Sequence, residues 1–208
     1  MNSKSHQFGK KIFARIKSHG RGWVFTPSHF EDICGRSTVS TNLQRLRESG
    51  KIRQLARGLY DYPQTHPKIG ILSPSVEAIA KALAGREAIR LQPSGAYAAN
   101  LLGLSTQVPM KIVYLTDGAS RTVQVGNRQI ILKRTTPRNM ATAGRISGLV
   151  IQALRYLGQK YVDEQIIKQL DKRLDQKACE QLLKDIRYAP GWIAEIFRDL
   201  ARRKEGVE

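Results

Sequence analysis

RSTVSTNLQRLRESGKIRQLARGLYDYP, residues 36–63, is the stretch whose reading decides the fold. Val39, Leu43 and Leu46 recur at i, i+4 and i+7 and so share one side of a helix. Ser37 can cap its start, and Gly50 after Glu48-Ser49 is the glycine that ends it. At about 100° per residue, the opposite side carries Ser37, Thr38, Thr41, Gln44, Arg45 and Glu48, flanked by Arg36 and Arg47. A face meant only for water is normally built from Glu and Lys, which are good helix formers; Ser and Thr are poorer ones. Short hydroxyls, an amide and guanidinium groups are what base edges and phosphates of a DNA major groove accept. The reading is a recognition helix, set against a merely solvated polar face.

Working outward, Lys51 to Leu55 alternates polar and apolar residues, Ala56-Arg57-Gly58 makes a turn, and Leu59 to Tyr62 continues until Pro63 stops the strand. Lys51, Arg53 and Arg57 have no acid among residues 49–60, so the hairpin reads as a basic wing laid on phosphates beside the groove. Upstream, Phe8, Ile12 and Ile16 mark a first amphipathic helix over 5–18, and Thr26-Pro27 opens a second, short one that runs to Cys34. Three helices and a hairpin predict a winged helix-turn-helix domain over residues 1–62.

Residues 63–74 hold three prolines and read as a linker with a short extended piece. Beyond it, residues 75–208 read as a second domain. It combines a helix over 74–84, strands at 89–92, 110–116, 121–125 and 128–134, a helix capped by Ser94, and four helices from Gly148 onward. In the last of these, Trp192, Ile193, Ile196, Phe197 and Leu200 form one apolar stripe, read as core or as a partner-binding face. The expected fold class is therefore α+β: a winged helix-turn-helix, then a small mixed α/β domain with a helical C-terminal part.

Charge points to a polyanionic partner. The 208 residues carry 35 Lys+Arg against 17 Asp+Glu, a net +18, and the density is higher in residues 1–62, with 12 basic against 4 acidic residues. Between Asp117 and Asp163 there is no acid, while Arg121, Arg128, Lys133, Arg134, Arg138, Arg145, Arg155 and Lys160 are basic. The first six of these make a candidate second basic surface with three readings: phosphate contact, a seat for an acidic partner, or solvated strand ends. There is no long apolar run and no leader-like N-terminus, so no membrane is expected and the cytoplasm is the expected compartment. Cys34 and Cys179 read as buried thiols.

Catalytic chemistry finds little material. All four histidines lie at or before His66, without HExxH or Cys/His spacing, so no metal site and no cofactor are expected. The sharpest candidate is Asp175-Gln176-Lys177, the carboxylate-x-lysine of metal-dependent nucleases. It falls at a helix start, where Asp175 reads as an N-cap and Lys177 as surface. Asp117 in LTDG reads as a turn residue.

LRESGKIRQLARGLYDYP (46–63), PSGAYAANLLGLS (93–105), VYLTDG (113–118) and LKRTTPRN (132–139), in that order, make the chain resemble the AbiEi-like antitoxins of type IV, abortive-infection toxin-antitoxin systems. The likeness spans about residues 8–160 and leaves 163–208 unmatched. It implies an N-terminal winged helix that binds repeats in the operon's own promoter as a monomer or weak dimer. It also implies a C-terminal domain that counteracts a nucleotidyltransferase-like toxin. A nuclease targeted by the winged helix and a ligand-sensing transcription factor stand as the alternatives.

Overall fold

The computed structural model describes residues 2–85 and 89–205. The fold is α+β, and the chain divides into two compact units, Met1–Ile89 with Val123–Gly126 and Arg90–Thr122 with Asn127–Glu208.

In the first unit, helix α1 (Asn2–His19) buries Ile12 and Ile16 and stops at Gly20, whose φ of 82° suits glycine. Strand β1 (Val24–Phe25) leads through Thr26 into a single 3-10 turn at Pro27–Phe30, where the Thr26 amide donates to His29 Nδ1 at 3.2 Å. Helix α2 (Arg36–Glu48) follows and buries Val39, Asn42, Leu43 and Leu46. It starts one residue before the expected Ser37 cap, with Gly35 at the N-cap position. Strands β2 (Arg53–Ala56) and β3 (Leu59–Asp61) turn at Arg57-Gly58, where Gly58 has a φ of 71°. Both pairings of the resulting sheet, ordered β1-β3-β2, are antiparallel. Phe25, Phe30, Leu43 and Ile52 close the core with the two isoleucines of α1, and Trp23 packs against it, stacked on the His19 ring at 3.8 Å.

Two short strands, β4 (Thr65–His66) and β5 (Gly70–Ile71), form an exposed hairpin within the expected linker. Helix α3 (Val76–Ala84) then begins at Ser75, whose hydroxyl accepts from the Ala78 amide at 3.1 Å. The sequence groups α3 with the second domain, but its apolar side packs on β1, and it belongs to the first unit.

The second unit opens with β6 (Leu91–Ser94) and α4 (Gly95–Leu101), followed by β7 (Lys111–Thr116) and β9 (Arg128–Arg134); β8 (Arg121–Val125) lies between these two strands in the chain, and its last three residues count with the first unit. The sheet order is β6-β7-β9-β8, with β6 antiparallel and β9 parallel to β7. A short α5 (Pro137–Met140) leads to α6 (Ile146–Leu157), α7 (Glu164–Arg173), α8 (Gln176–Lys184) and α9 (Gly191–Glu205). Ile193, Phe197 and Leu200 of α9 are fully buried in this core, with Trp192 and Ile196 packed at its margin, so the apolar stripe is core. Cys179 is buried, whereas Cys34 is only half-buried; burial raises both thiols above the ordinary range. Among the described residues no helix is long and apolar enough to cross a membrane.

Candidate nucleic-acid interface

Burial of Val39, Leu43 and Leu46 turns the other side of α2 outward. Arg36, Ser37, Thr41, Gln44, Arg45 and Arg47 are exposed there, as is Ser40, which the helical wheel left out. Thr38 is half-buried, because its turn packs beside Asn42, whose amide donates to the Thr38 carbonyl at 2.8 Å.

Two hydroxyls of this face are not loose rotors. Ser40 Oγ donates to the Arg36 carbonyl and Thr41 Oγ1 to the Ser37 carbonyl, each at 3.0 Å. With their protons held inside the helix, the two oxygens present lone pairs outward and can accept from a base amino group. Gln44 Nε2 donates to Glu48 Oε1 at 2.9 Å, so the one acid on the face holds the amide along the helix axis. Arg47 donates to Gln54 Oε1 on β2 at 2.6 Å, tying helix to hairpin. Arg45 lies on the exposed face and also lines a cleft of about 320 Å³ beside α1.

Arg57 stands exposed at the hairpin turn; Lys51, expected to open the first strand, lies in the bend before β2, with its ammonium 5.2 Å from the Phe13 ring centroid. Arg53 corrects the expectation of a basic wing made of three cations. It sits opposite Asp61 in the β2–β3 register, donates to both carboxylate oxygens at 3.1 and 2.5 Å, and also donates to the Leu72 carbonyl at 2.9 Å. Asp61 is 1% exposed, so this guanidinium is the counter-ion of a buried carboxylate and holds the chain beyond the hairpin in place.

The second basic surface is not gathered into one patch. Arg121, Lys133 and Arg134 share one end of the β8–β9 pair, where the Arg134 amide donates to Ser120 Oγ at 3.0 Å. Arg128 begins β9, about 20 Å away at about 3.3 Å rise per residue, and Arg138 lies on α5. These five are exposed and have no carboxylate partner among the described residues. Arg145 departs from the expectation: its guanidinium donates to Asp185 at 2.6 Å, and Asp185 is buried and also takes Ser147 Oγ and Gln181 Nε2. Burial alone would push the Asp185 carboxyl up, but those two hydrogen bonds and the Arg145 charge outweigh it and hold the group below the usual carboxylate range. Arg145 lies 40 positions from Asp185, which is why no local charge count exposes the pair.

Asp175 acts as the N-cap of α8, accepting from the Ala178 amide at 2.8 Å, and Lys177 follows inside that helix. Asp117 accepts the amide and the Nε of Arg90, at 2.9 and 2.8 Å, and hydrogen bonding from that guanidinium lowers its pKa. Among the described residues no group of three or more His, Cys, Asp or Glu side chains comes together in metal-binding range.

The model of a family of unknown function, DUF6088, matches residues 11–182 of the chain. No curated protein matches the chain.

Proposed function

We propose that this chain, which belongs to the DUF6088 family, binds duplex DNA through a winged helix-turn-helix formed by its first unit. The order helix, strand, helical turn, helix and hairpin, with β3 between β1 and β2, supports that reading of the fold. The observation that carries the function is the outward face of α2. It offers Ser37, Ser40, Thr41, Gln44 and Arg45 together, exposed, with the Ser40 and Thr41 hydroxyl protons already satisfied inside the helix. Lodged in a major groove, α2 presents hydroxyl acceptors, one amide and one guanidinium to base edges, while Arg57 of the hairpin and Lys51 in the bend before it reach flanking phosphates.

Within that reading the protein is an antitoxin that works in the cytoplasm. It represses its own operon by binding repeats in the promoter and counteracts a nucleotidyltransferase-like toxin through its second unit. The likeness to AbiEi-like antitoxins in the segments around Arg57, Ser94, Asp117 and Arg134 supports this assignment.

Competition binding to the repeats upstream of its own gene tests the reading. Gln44→Ala and Arg45→Ala each lower the preference for the repeats over scrambled duplex by about 1–3 kcal/mol. An unchanged preference in both variants rejects α2 as the reading helix. Co-expression with a neighbouring nucleotidyltransferase gene tests the antitoxin assignment: cells survive with the full chain and die without it.

A further inference from the structure

The cations of the first unit fall into two classes. Arg15 and Arg53 are committed: the first donates to both carboxylate oxygens of Asp32 at 2.7 Å and the second to Asp61, so both aspartates are consumed. Lys10, Lys17 and Lys51 have no carboxylate partner among the described residues; Lys17 and Lys51 meet at one side chain, Phe13, and Lys10 lines a cleft with that ring. The ammonium groups of Lys17 and Lys51 each lie 5.2 Å from the Phe13 ring centroid. Lys10 and Lys51 line the same cleft of about 320 Å³ as Phe13, Asn42 and Arg45. Among the described residues, no acidic side chain lines it.

The two ammonium groups, each 5.2 Å from the same ring centroid, lie no more than about 10 Å apart, so they make one local concentration of positive charge. The ring holds them through its quadrupole without neutralising them. Gly9 brings α1 so close to α2 that a methyl group on it would meet Asn42 Oδ1 at 2.7 Å, and this approach sets the lysines of α1 beside the reading face of α2. Arg45 belongs to both surfaces.

From this juxtaposition we infer that Lys10 and Lys17 of α1, with Lys51 from the bend after α2, form a phosphate seat beside α1. The seat grips the duplex backbone next to the groove that α2 enters, and its ligands are backbone phosphodiesters. The inference rests on the DNA-binding reading and extends the interface to a helix outside the α2-and-hairpin pattern.

The test measures how the affinity of the full chain for a mixed-sequence duplex falls with salt. Each phosphate contact contributes about 0.9 to the slope of log affinity against log salt. The K10Q/K17Q/K51Q chain, checked for an unchanged thermal melt, loses about 2–3 from that slope and about a hundredfold in affinity at low salt. Its ratio of operator to scrambled binding stays the same. Replacing the three lysines by arginine restores the slope, and K168Q/K172Q/K177Q, which removes three charges from the second unit, leaves it unchanged. A wild-type chain with no salt-dependent duplex binding sinks the DNA-binding reading itself. Wild-type binding with no slope change in the K10Q/K17Q/K51Q chain, or an equal change in the second-unit variant, overturns the seat alone. So does loss of binding to phosphatidylserine vesicles in that variant with duplex binding intact.

Discussion

At the scale of single residues, the carboxylates decide which arginines can reach a ligand. Asp61 is buried beneath Arg53, so Arg53→Ala leaves an uncompensated charge inside the sheet. The expected result in a urea titration is a stability loss of about 2–4 kcal/mol, with the salt slope of DNA binding little changed. Asp185 behaves similarly but adds a pH signature. Its folded pKa lies below the unfolded one, so its contribution is complete above the ordinary aspartate range near 4 and is lost as pH falls through the folded value. Asp185→Asn therefore lowers stability by about 2–4 kcal/mol at neutral pH, and urea midpoints of variant and wild type converge on acidification. Neither pair is visible in a window of sequence. The acid count around the hairpin, taken over 49–60, stops one residue short of Asp61, and the register that pairs Arg53 with Asp61 exists only once the strands meet.

At the scale of elements, two glycines set helix approaches, with different consequences. In α6, a Cβ on Gly148 would lie 2.4 Å from both the Thr142 carbonyl and Gln92 Oε1; in α1, a Cβ on Gly9 would meet only the Asn42 side chain. A backbone carbonyl cannot rotate away, whereas a side-chain amide can shift. Gly148→Ala costs about 1–3 kcal/mol in chemical denaturation, while Gly9→Ala is close to neutral because the helix-propensity gain of up to about 1 kcal/mol offsets the crowding. Most elements were legible from periodicity. α2, the β2–β3 hairpin and α6 to α9 appear where the apolar spacing puts them, because each buries a face whose period is written in the chain. The attachment of α3 was not legible: amphipathicity says that Val76, Ile79 and Leu83 need cover but not which unit supplies it. The β4–β5 hairpin is written in the sequence only as a short extended piece of a linker, because two-residue strands carry no period. Of the α2 face, only Ser40 was missed as an exposed group and only Thr38 over-counted.

At the scale of the whole molecule, a net charge of +18 draws the chain toward any polyanion, so on the proposed function any sequence preference has to come from the few uncharged groups on α2. The division into units also says where the chain can be cut. A fragment ending at residue 66 lacks α3 and uncovers β1, whereas one ending at residue 85 keeps that packing. The shorter fragment melts at least about 10 °C below the longer one by circular dichroism, or shows no cooperative transition.

The chain holds two tryptophans, Trp23 against the core of the first unit and Trp192 against that of the second. Each unit thus carries its own built-in fluorophore. A Trp192→Phe chain has tryptophan emission only from the first unit and a Trp23→Phe chain only from the second. Light alone then tells whether the halves come apart together or in sequence, with no dye attached.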